Sequence, residues 1–235
     1  MSGLICIAKR VVLLSSLMAV LVASGCGDEP VSVDPAEIIK KASAAVQAPQ
    51  TFHFLLETQK LGKPAGIWLT KAEGDVMKPD KMVGKMSVLY SGLPLAADVV
   101  VDGKSQYWTD PLNKRWMVMP GDFNVAQLFD PAKGVSDILT NLKSPQSDGS
   151  EKVGNADTFR LKGAVPPDAL RAISGEVNVK ADVPITIWVG QSDFLLRRVR
   201  LQGPLIEGEP QEVERVITIS DYDKAVKIET PVLPK

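Results

Sequence analysis

Few residues in this chain of 235 have side chains suited to covalent chemistry, and one of them, Cys26, has a distinctive context. It directly follows Ala23-Ser24-Gly25, three small residues. Small side chains allow an extended segment to enter a signal peptidase, and a cysteine thiol is a nucleophile that can accept a diacylglycerol. The order of these residues predicts that Cys26 is lipid-modified and becomes the N-terminus of the mature protein.

The segment before Cys26 has the composition of a signal peptide. Lys9 and Arg10 precede an apolar run of 12 residues, 11–22. A membrane-spanning helix needs about 20 apolar residues, whereas the core of a signal peptide needs roughly 7–15. The residues before Cys26 resemble the bacterial lipobox, with Ala23 where Leu is usual. The alternative is a secretory signal cut near Ala23 with a free thiol at Cys26. We favour lipidation, because a lone exposed thiol there is a liability.

This processing divides the chain into a signal peptide (1–25), a lipidated tether (26–34) and one domain (35–235). Removing Lys9 and Arg10 leaves 25 basic and 28 acidic residues, a net charge of −3. A mildly acidic domain without a basic cluster argues against a nucleic-acid partner and against membrane binding by charge alone. Apolar residues make up 45% of the chain and aromatic residues 6%, a composition that can fill a core or line a cavity.

Signatures of enzymes and metal sites are missing from the sequence. Because Cys6 leaves with the signal peptide, the mature chain has no thiol beyond Cys26 for a disulfide, a nucleophile or a metal site. His53 is the only histidine, and there is no G-x-S-x-G motif. Asp221 and Asp223 lack the pattern of a calcium loop and indicate a turn. We therefore expect no catalytic residue, metal or cofactor, and a surface-facing His53.

Hydrophobic periodicity predicts an antiparallel α+β domain. Asp34 as a cap and Pro35 at the first position predict a helix that ends before Pro49. From Thr51 the apolar period changes to two, and Asp102-Gly103 is a strong hairpin signal. Short turns cannot join parallel strands, so the sheet is expected to be antiparallel. Further strands are predicted at Ile67–Ala72, Met82–Tyr90, Leu95–Val101, Gln106–Thr109, Trp116–Met119, Thr158–Leu161, Ile185–Val189, Leu195–Gln202, Val213–Ser220 and Ala225–Glu229.

Between these strands the sequence predicts two helices and a loop. A helix is expected to open at Asp130-Pro131 and to carry Val135, Ile138, Leu139 and Leu142 on one face. A loop is expected over Ser144–Gly154, because the segment is polar and contains glycine. A short helix carrying Leu170 and Ile173 is expected after Pro166-Pro167-Asp168.

The segment Leu93–Val101 is apolar on both alternation phases, with Asp98 the only interruption. Such a strand is buried on both faces, or it faces a ligand on one of them. Asp98 is interpreted as a solvent-facing carboxylate, with a polar handle inside a cavity as the alternative.

Several segments together resemble the LppX/LprAFG lipoprotein family of actinobacterial envelopes, and the resemblance extends over the whole mature chain. Its elements are the lipobox cysteine, the capped first helix, Thr51–Leu56, Ala97–Gly103 with Trp108, Phe129–Ala132 and Pro184–Val189.

The resemblance implies a curved antiparallel sheet, an incomplete barrel of the LolA/LolB type, around a few helices and a hydrophobic cavity. It implies a lipoprotein anchored on the extracytoplasmic face of the cell membrane that carries acylated lipids or lipoglycans across the envelope, with a membrane transporter as a further partner. The alternatives are an envelope sensor or scaffold that binds a protein or peptide, and an unrecognised enzyme. The positions expected to line the cavity are Leu95, Ala97, Val99 and Val101.

Overall fold

A large antiparallel sheet dominates the computed structural model, which describes residues 34–62, 66–119, 134–171 and 177–233. The signal peptide, Cys26 and most of the tether lie outside these residues. The helices are α1 (Pro35–Ala45), α2 (Val135–Thr140) and a 3-10 helix (Pro167–Leu170). The strands are β1 (Thr51–Gln59), β2 (Ile67–Met77), β3 (Lys81–Tyr90), β4 (Leu93–Asp102), β5 (Ser105–Thr109), β6 (Trp116–Val118), β7 (Lys143–Val153), β8 (Ala156–Val165), β9 (Val183–Gly190), β10 (Leu196–Gln202) and β11 (Glu214–Ser220).

The sheet consists of two meanders joined through the first and last strands. The order within the described residues is β6-β5-β4-β3-β2-β1-β11-β10-β9-β8-β7, and every pair is antiparallel. We call β1–β6 the first half and β7–β11 the second half. β6 and β7 are the two edges, so the sheet is not closed. The expected α+β class and open antiparallel sheet are confirmed.

One face of the sheet, the inner face, packs on the helices. Phe52, Phe54 and Leu56 of β1 alternate onto this face, as the period of two requires. Ile38 and Ala42 of α1 belong to the same buried cluster. Asp34 caps this helix, because its Oδ1 accepts a hydrogen bond from the backbone N–H of Ala36 at 3.0 Å, and Pro35 occupies the first turn.

The predicted Asp102-Gly103 hairpin is present between β4 and β5. Asp102 pairs with Ser105, so Gly103 and Lys104 form a two-residue turn. Gly103 has φ +62°, and Lys104 is not among the residues with positive φ. A positive φ at the first central position alone is the pattern of a type II′ turn, in which glycine is preferred there.

The loop prediction for Ser144–Gly154 is wrong, because β7 covers Lys143–Val153. This strand is polar since it is an edge strand whose side chains are largely exposed. Polar residues, Pro145 and two register shifts are usual on a sheet edge, where they discourage pairing with other chains. Pairing with β8 holds β7 in the sheet, and intrinsic propensity contributes little.

The strand predicted at Ala225–Glu229 is also wrong, because these residues lie outside any strand. Both edges of β11 are already occupied by β1 and β10, so the tail has no neighbouring edge to join. Instead it follows the strand ends: the N–H of Asp223 donates to the carbonyl of Thr51 at 2.9 Å, and Thr230 hydrogen-bonds Asp102.

The middle of the chain agrees in part with expectation. The helix α2 carries buried Ile138 and Leu139 as predicted, whereas its expected start at Asp130-Pro131 and the position Ile173 lie outside the described residues. No helix in the described ranges is both long and apolar enough to span a membrane.

Candidate functional site

The register of β2, β3 and β4 builds an apolar surface from three strands on the inner face. Ile67, Tyr90 and Leu93 are direct cross-strand neighbours and form the outermost row. The next rows toward the other end of the strands are Leu69 with Val88 and Leu95, then Ala72 with Met86 and Ala97.

A bulge in β2 decides which of its residues join this surface. The register shifts between Leu69 and Lys71, and Thr70 is the extra residue. A bulge of one residue inverts the alternation beyond it, which places Leu69 and Ile67 on the inner face. Without the bulge, Thr70 and Trp68 would occupy those positions.

The surface is exposed at one end and buried at the other. Along β4 the exposed fraction falls from 57% at Leu93 to 5% at Ala97 and 0% at Val101. Leu95 is half-buried, and Val99 and Val101 belong to the core cluster. The four residues expected to line a cavity therefore share one face and run from its open end into the packed core. That they contact a ligand stays a prediction.

The other phase of β4 is buried as well. Val100 lies on the outer face, 4% exposed, beside Val83 and Trp116 in a groove of about 410 Å³. The middle of β4 is thus buried on both faces, which was the first of the two interpretations. The end between Leu93 and Ala97 is the part that a ligand could reach.

A pair of glycines brings the backbones of β2 and β3 close together next to this surface. Gly74 of β2 and Gly84 of β3 are direct neighbours on the inner face. A Cβ on Gly74 would lie 2.3 Å from the carbonyl oxygen of Val83, and a Cβ on Gly84 would lie 2.4 Å from that of Glu73. Only glycine permits this close approach of the two backbones.

Trp108 brings a polar atom to the same face. It pairs with Val99 across β4 and β5 and packs against the core cluster. Its indole Nε1 is buried and has no hydrogen-bond partner among the described residues. An unpaired buried N–H is costly and can be satisfied by an acceptor atom of a ligand.

The second half of the sheet is covered where the first half is open. Ile185, Ile187 and Val189 of β9 are at most 2% exposed on the inner face, and Leu170 of the 3-10 helix joins their cluster. At the end of β10, the loop to β11 inserts Leu205 into the core. Glu209 fixes this loop: it accepts a hydrogen bond from the N–H of Leu205 at 2.7 Å and pairs with Arg215.

The outer face holds the polar residues that the sequence singled out. His53 is partly exposed there, and its Nδ1 lies 2.8 Å from Asp75 Oδ1 and its Nε2 3.6 Å from Glu73 Oε1. The hydrogen-bonded Lys71 ammonium, 2.7 Å away, lowers the pKa of the Glu73 carboxyl, with a smaller contribution from His53. The surface-facing interpretation of His53 is confirmed.

Asp98 also lies on the outer face, about half exposed and 3.9 Å from Lys85 Nζ. The solvent-facing interpretation of Asp98 is therefore confirmed. Within the described residues, no cluster of three or more His, Cys, Asp or Glu side chains could hold a metal ion.

The model of the LppX/LprAFG lipoprotein family matches residues 34–228. The chain belongs to the LppX/LprAFG lipoprotein family. It is 26% identical over 217 residues to the lipoarabinomannan carrier protein LprG of Mycolicibacterium smegmatis, an alignment that covers 89% of this chain and 87% of that protein. It is 25% identical to LprG of Mycobacterium tuberculosis H37Rv, with 95% of each chain covered. Membership identifies the chain as an envelope-associated lipoprotein.

Solved structures show the same fold in two further members. LprF from Mycobacterium bovis aligns with a TM-score of 0.69 at 16% identity, over 84% of this chain and 96% of LprF. LppX from Mycobacterium tuberculosis aligns with a TM-score of 0.60 at 18% identity, over 83% of this chain and 98% of LppX. The sheet described above is therefore the family's fold.

Proposed function

We propose that this protein is a lipid carrier that holds the acyl chains of a lipid or lipoglycan against the inner face of β2–β4. The observation that supports the proposal most directly is the apolar inner face of β4, which is exposed at Leu93 and half-buried at Leu95 before the strand enters the packed core. The LprG relatives are lipoarabinomannan carriers by name, which favours an acylated glycolipid as the ligand class.

The energetics suit exchange in both directions. An acyl chain of about 16 carbons gains on the order of 10 kcal/mol when buried, at about 0.8 kcal/mol per methylene. Leaving a membrane costs nearly as much, because the chain moves between two apolar environments. Such a carrier loads or unloads according to supply, and it hands its lipid between membrane-bound partners, a transporter among them.

The carrier acts at the extracytoplasmic face of the membrane, held there by acyl chains on Cys26. Two or three acyl chains on one residue anchor a protein firmly, whereas one chain gives marginal binding. We expect Cys26→Ala to move the protein from the membrane to the soluble fraction after removal of its signal peptide. A cleaved variant that stays on membranes at the wild-type level would contradict the anchor.

The test of carriage is organic extraction of the protein purified from its native host, followed by mass spectrometry. We expect a stoichiometric acylated lipid in addition to the acyl chains covalently bound to Cys26. A preparation without extractable lipid that instead retains a specific regulatory protein would contradict carriage and support the sensor or scaffold.

A further inference from the structure

Five exposed apolar side chains gather at one corner of the first half, and we call them the open corner: Ile67, Leu69, Tyr90, Leu93 and Leu112. Ile67 begins β2, Tyr90 ends β3 and Leu93 begins β4, so antiparallel pairing places all three at the same end of the sheet. Leu112 lies three residues beyond Thr109, the last residue of β5, which lies beside Asp98 of β4, and from there the chain continues toward the Leu93 end.

The loop that carries Leu112 is held firmly in place. Asp110 Oδ1 accepts hydrogen bonds from the N–H groups of Leu112 and Asn113 at 2.8 and 2.9 Å. Lys114 Nζ donates to the carbonyl oxygen of Ala96 on β4 at 2.8 Å, which ties the loop to the same strand as Leu93. Leu112 nevertheless remains 83% exposed. A contiguous exposed patch of several apolar side chains is typical of a contact surface.

Two cations accompany these apolar residues. Lys114 and Arg115 are both exposed, and neither forms a salt bridge with a described residue. Aliphatic tips, a tyrosine and adjacent basic side chains are the composition of segments that lie in the interface of an anionic bilayer.

The length of chain before the described residues keeps the domain near a bilayer. Asp34 follows the anchor residue Cys26 by eight positions in the sequence. When fully extended, the segment from Cys26 to Asp34 spans at most about 30 Å, at roughly 3.3–3.6 Å per residue. A domain on so short a tether meets the surface of its own membrane continually.

We propose that the open corner docks on the surface of the membrane that holds the anchor, with Lys114 and Arg115 against anionic head groups. This rests on the proposed lipid carriage and anchoring. Because the inner face opens at the same corner, an acyl chain then passes from the bilayer to the rows of Leu93 and Leu95 without crossing water.

Site-directed spin labelling tests the docking on the full lipidated protein in phosphatidylglycerol-containing vesicles. The only native cysteines are Cys6 and Cys26, so one label can be placed at Leu93→Cys or Leu112→Cys. Lys104→Cys, in the exposed turn at the opposite end of β4, is the matched control. We expect labels at 93 and 112 to collide more with oxygen and less with a water-soluble nickel complex than the label at 104.

Equal nickel accessibility at all three positions would overturn the docking, as would dipolar broadening that shows a second copy covering position 93. The charge contribution is tested by Arg115→Glu, which leaves the hydrogen bond of Lys114 to Ala96 in place and which we expect to return the label at 93 toward water. Lipid extracted from the same samples separates the two proposals. Bound lipid with labels in water defeats docking alone, and buried labels without bound lipid defeat carriage alone.

Discussion

The strands β4 and β9 both consist mostly of apolar residues, yet their surroundings differ. Every residue of β9 except Pro184 is buried, and helices and the loop with Leu205 cover its inner face. β4 is equally buried from Val99 to Val101 but reaches solvent at Leu93. Strand composition therefore does not decide whether an apolar face becomes core or binding surface. The elements that pack over the strand decide it.

The largest expected difference between the halves is in stability. Ile187→Ala in the covered half removes a fully buried side chain and should lower the free energy of unfolding by about 2–5 kcal/mol. Leu93→Ala in the open half should change it by less than about 0.5 kcal/mol. Urea unfolding of the two variants measures both values. Similar losses at both positions would mean that Leu93 is packed as tightly as Ile187.

Enlarging side chains along β4 can locate the boundary between the packed core and the open end of the inner face. Val101→Trp should overpack the core and cost about 1–3 kcal/mol or more. Ala97 lies between the packed core and the open end of the inner face, so Ala97→Trp should cost less stability than Val101→Trp and displace the bound lipid. The paired measurement is the melting temperature and the lipid extracted per protein. A large loss of stability at Ala97, or unchanged lipid in a stable variant, counts against a ligand at this position.

In the turn between β4 and β5, we expect the stability of the protein to depend on Gly103 and not on Lys104. Gly103→Val should destabilise the protein by about 1–2 kcal/mol, because a β-branched side chain resists the φ of +62°. Lys104→Val, at the adjacent position without positive φ, is the control and should have little effect. Equal melting temperatures for the two variants would remove the turn assignment.

The smallest effect concerns the outer face of the second half. Glu151 accepts hydrogen bonds from Trp188 Nε1 at 2.9 Å and from Arg160 Nη1 at 3.1 Å, which lower its pKa below 4.5. A lowered folded-state pKa stabilises the protein above the unfolded pKa, and this contribution is lost as the pH falls through the folded value. We expect Glu151→Gln to reduce the loss of stability below about pH 4.5 in acid titrations. Glu229→Gln, in the exposed tail, serves as the control for the loss of one carboxylate.

Most strands could be predicted because they alternate or contain β-branched runs, as β1 and β4 do. The polar edge strand β7 could not, since its pairing with β8 is a long-range effect absent from its own pattern. The bulge at Thr70 could not be predicted from the sequence either. Because of this bulge, Leu69 faces inward and Thr70 does not.

The candidate surface was only partly predictable for a related reason. Because both phases of Leu93–Val101 are apolar, the sequence could not tell the inner from the outer face. The prediction chose the phase of Leu95, Ala97, Val99 and Val101, and the structure places these four residues together on one face. The exposure of Leu93 depends on which helices and loops reach it, and no local pattern reports that. Gly74 and Gly84 were a usable signal, since glycine inside a strand often marks close backbone approach.

The pairing of β1 with β11 imposes an order on folding. Among the described residues β1 is the first strand and β11 the last, and they align from His53 with Ser220 to Gln59 with Glu214. A chain that emerges N-terminus first can complete β1–β6 early, but one edge of β1 then stays unpaired until almost the whole chain has been made. An unpaired strand edge can form hydrogen bonds with strands of other chains, which leads to aggregation. Loss of the last 25 residues would leave β1 and β10 without their shared neighbour, and the two meanders would lose the strand that joins them.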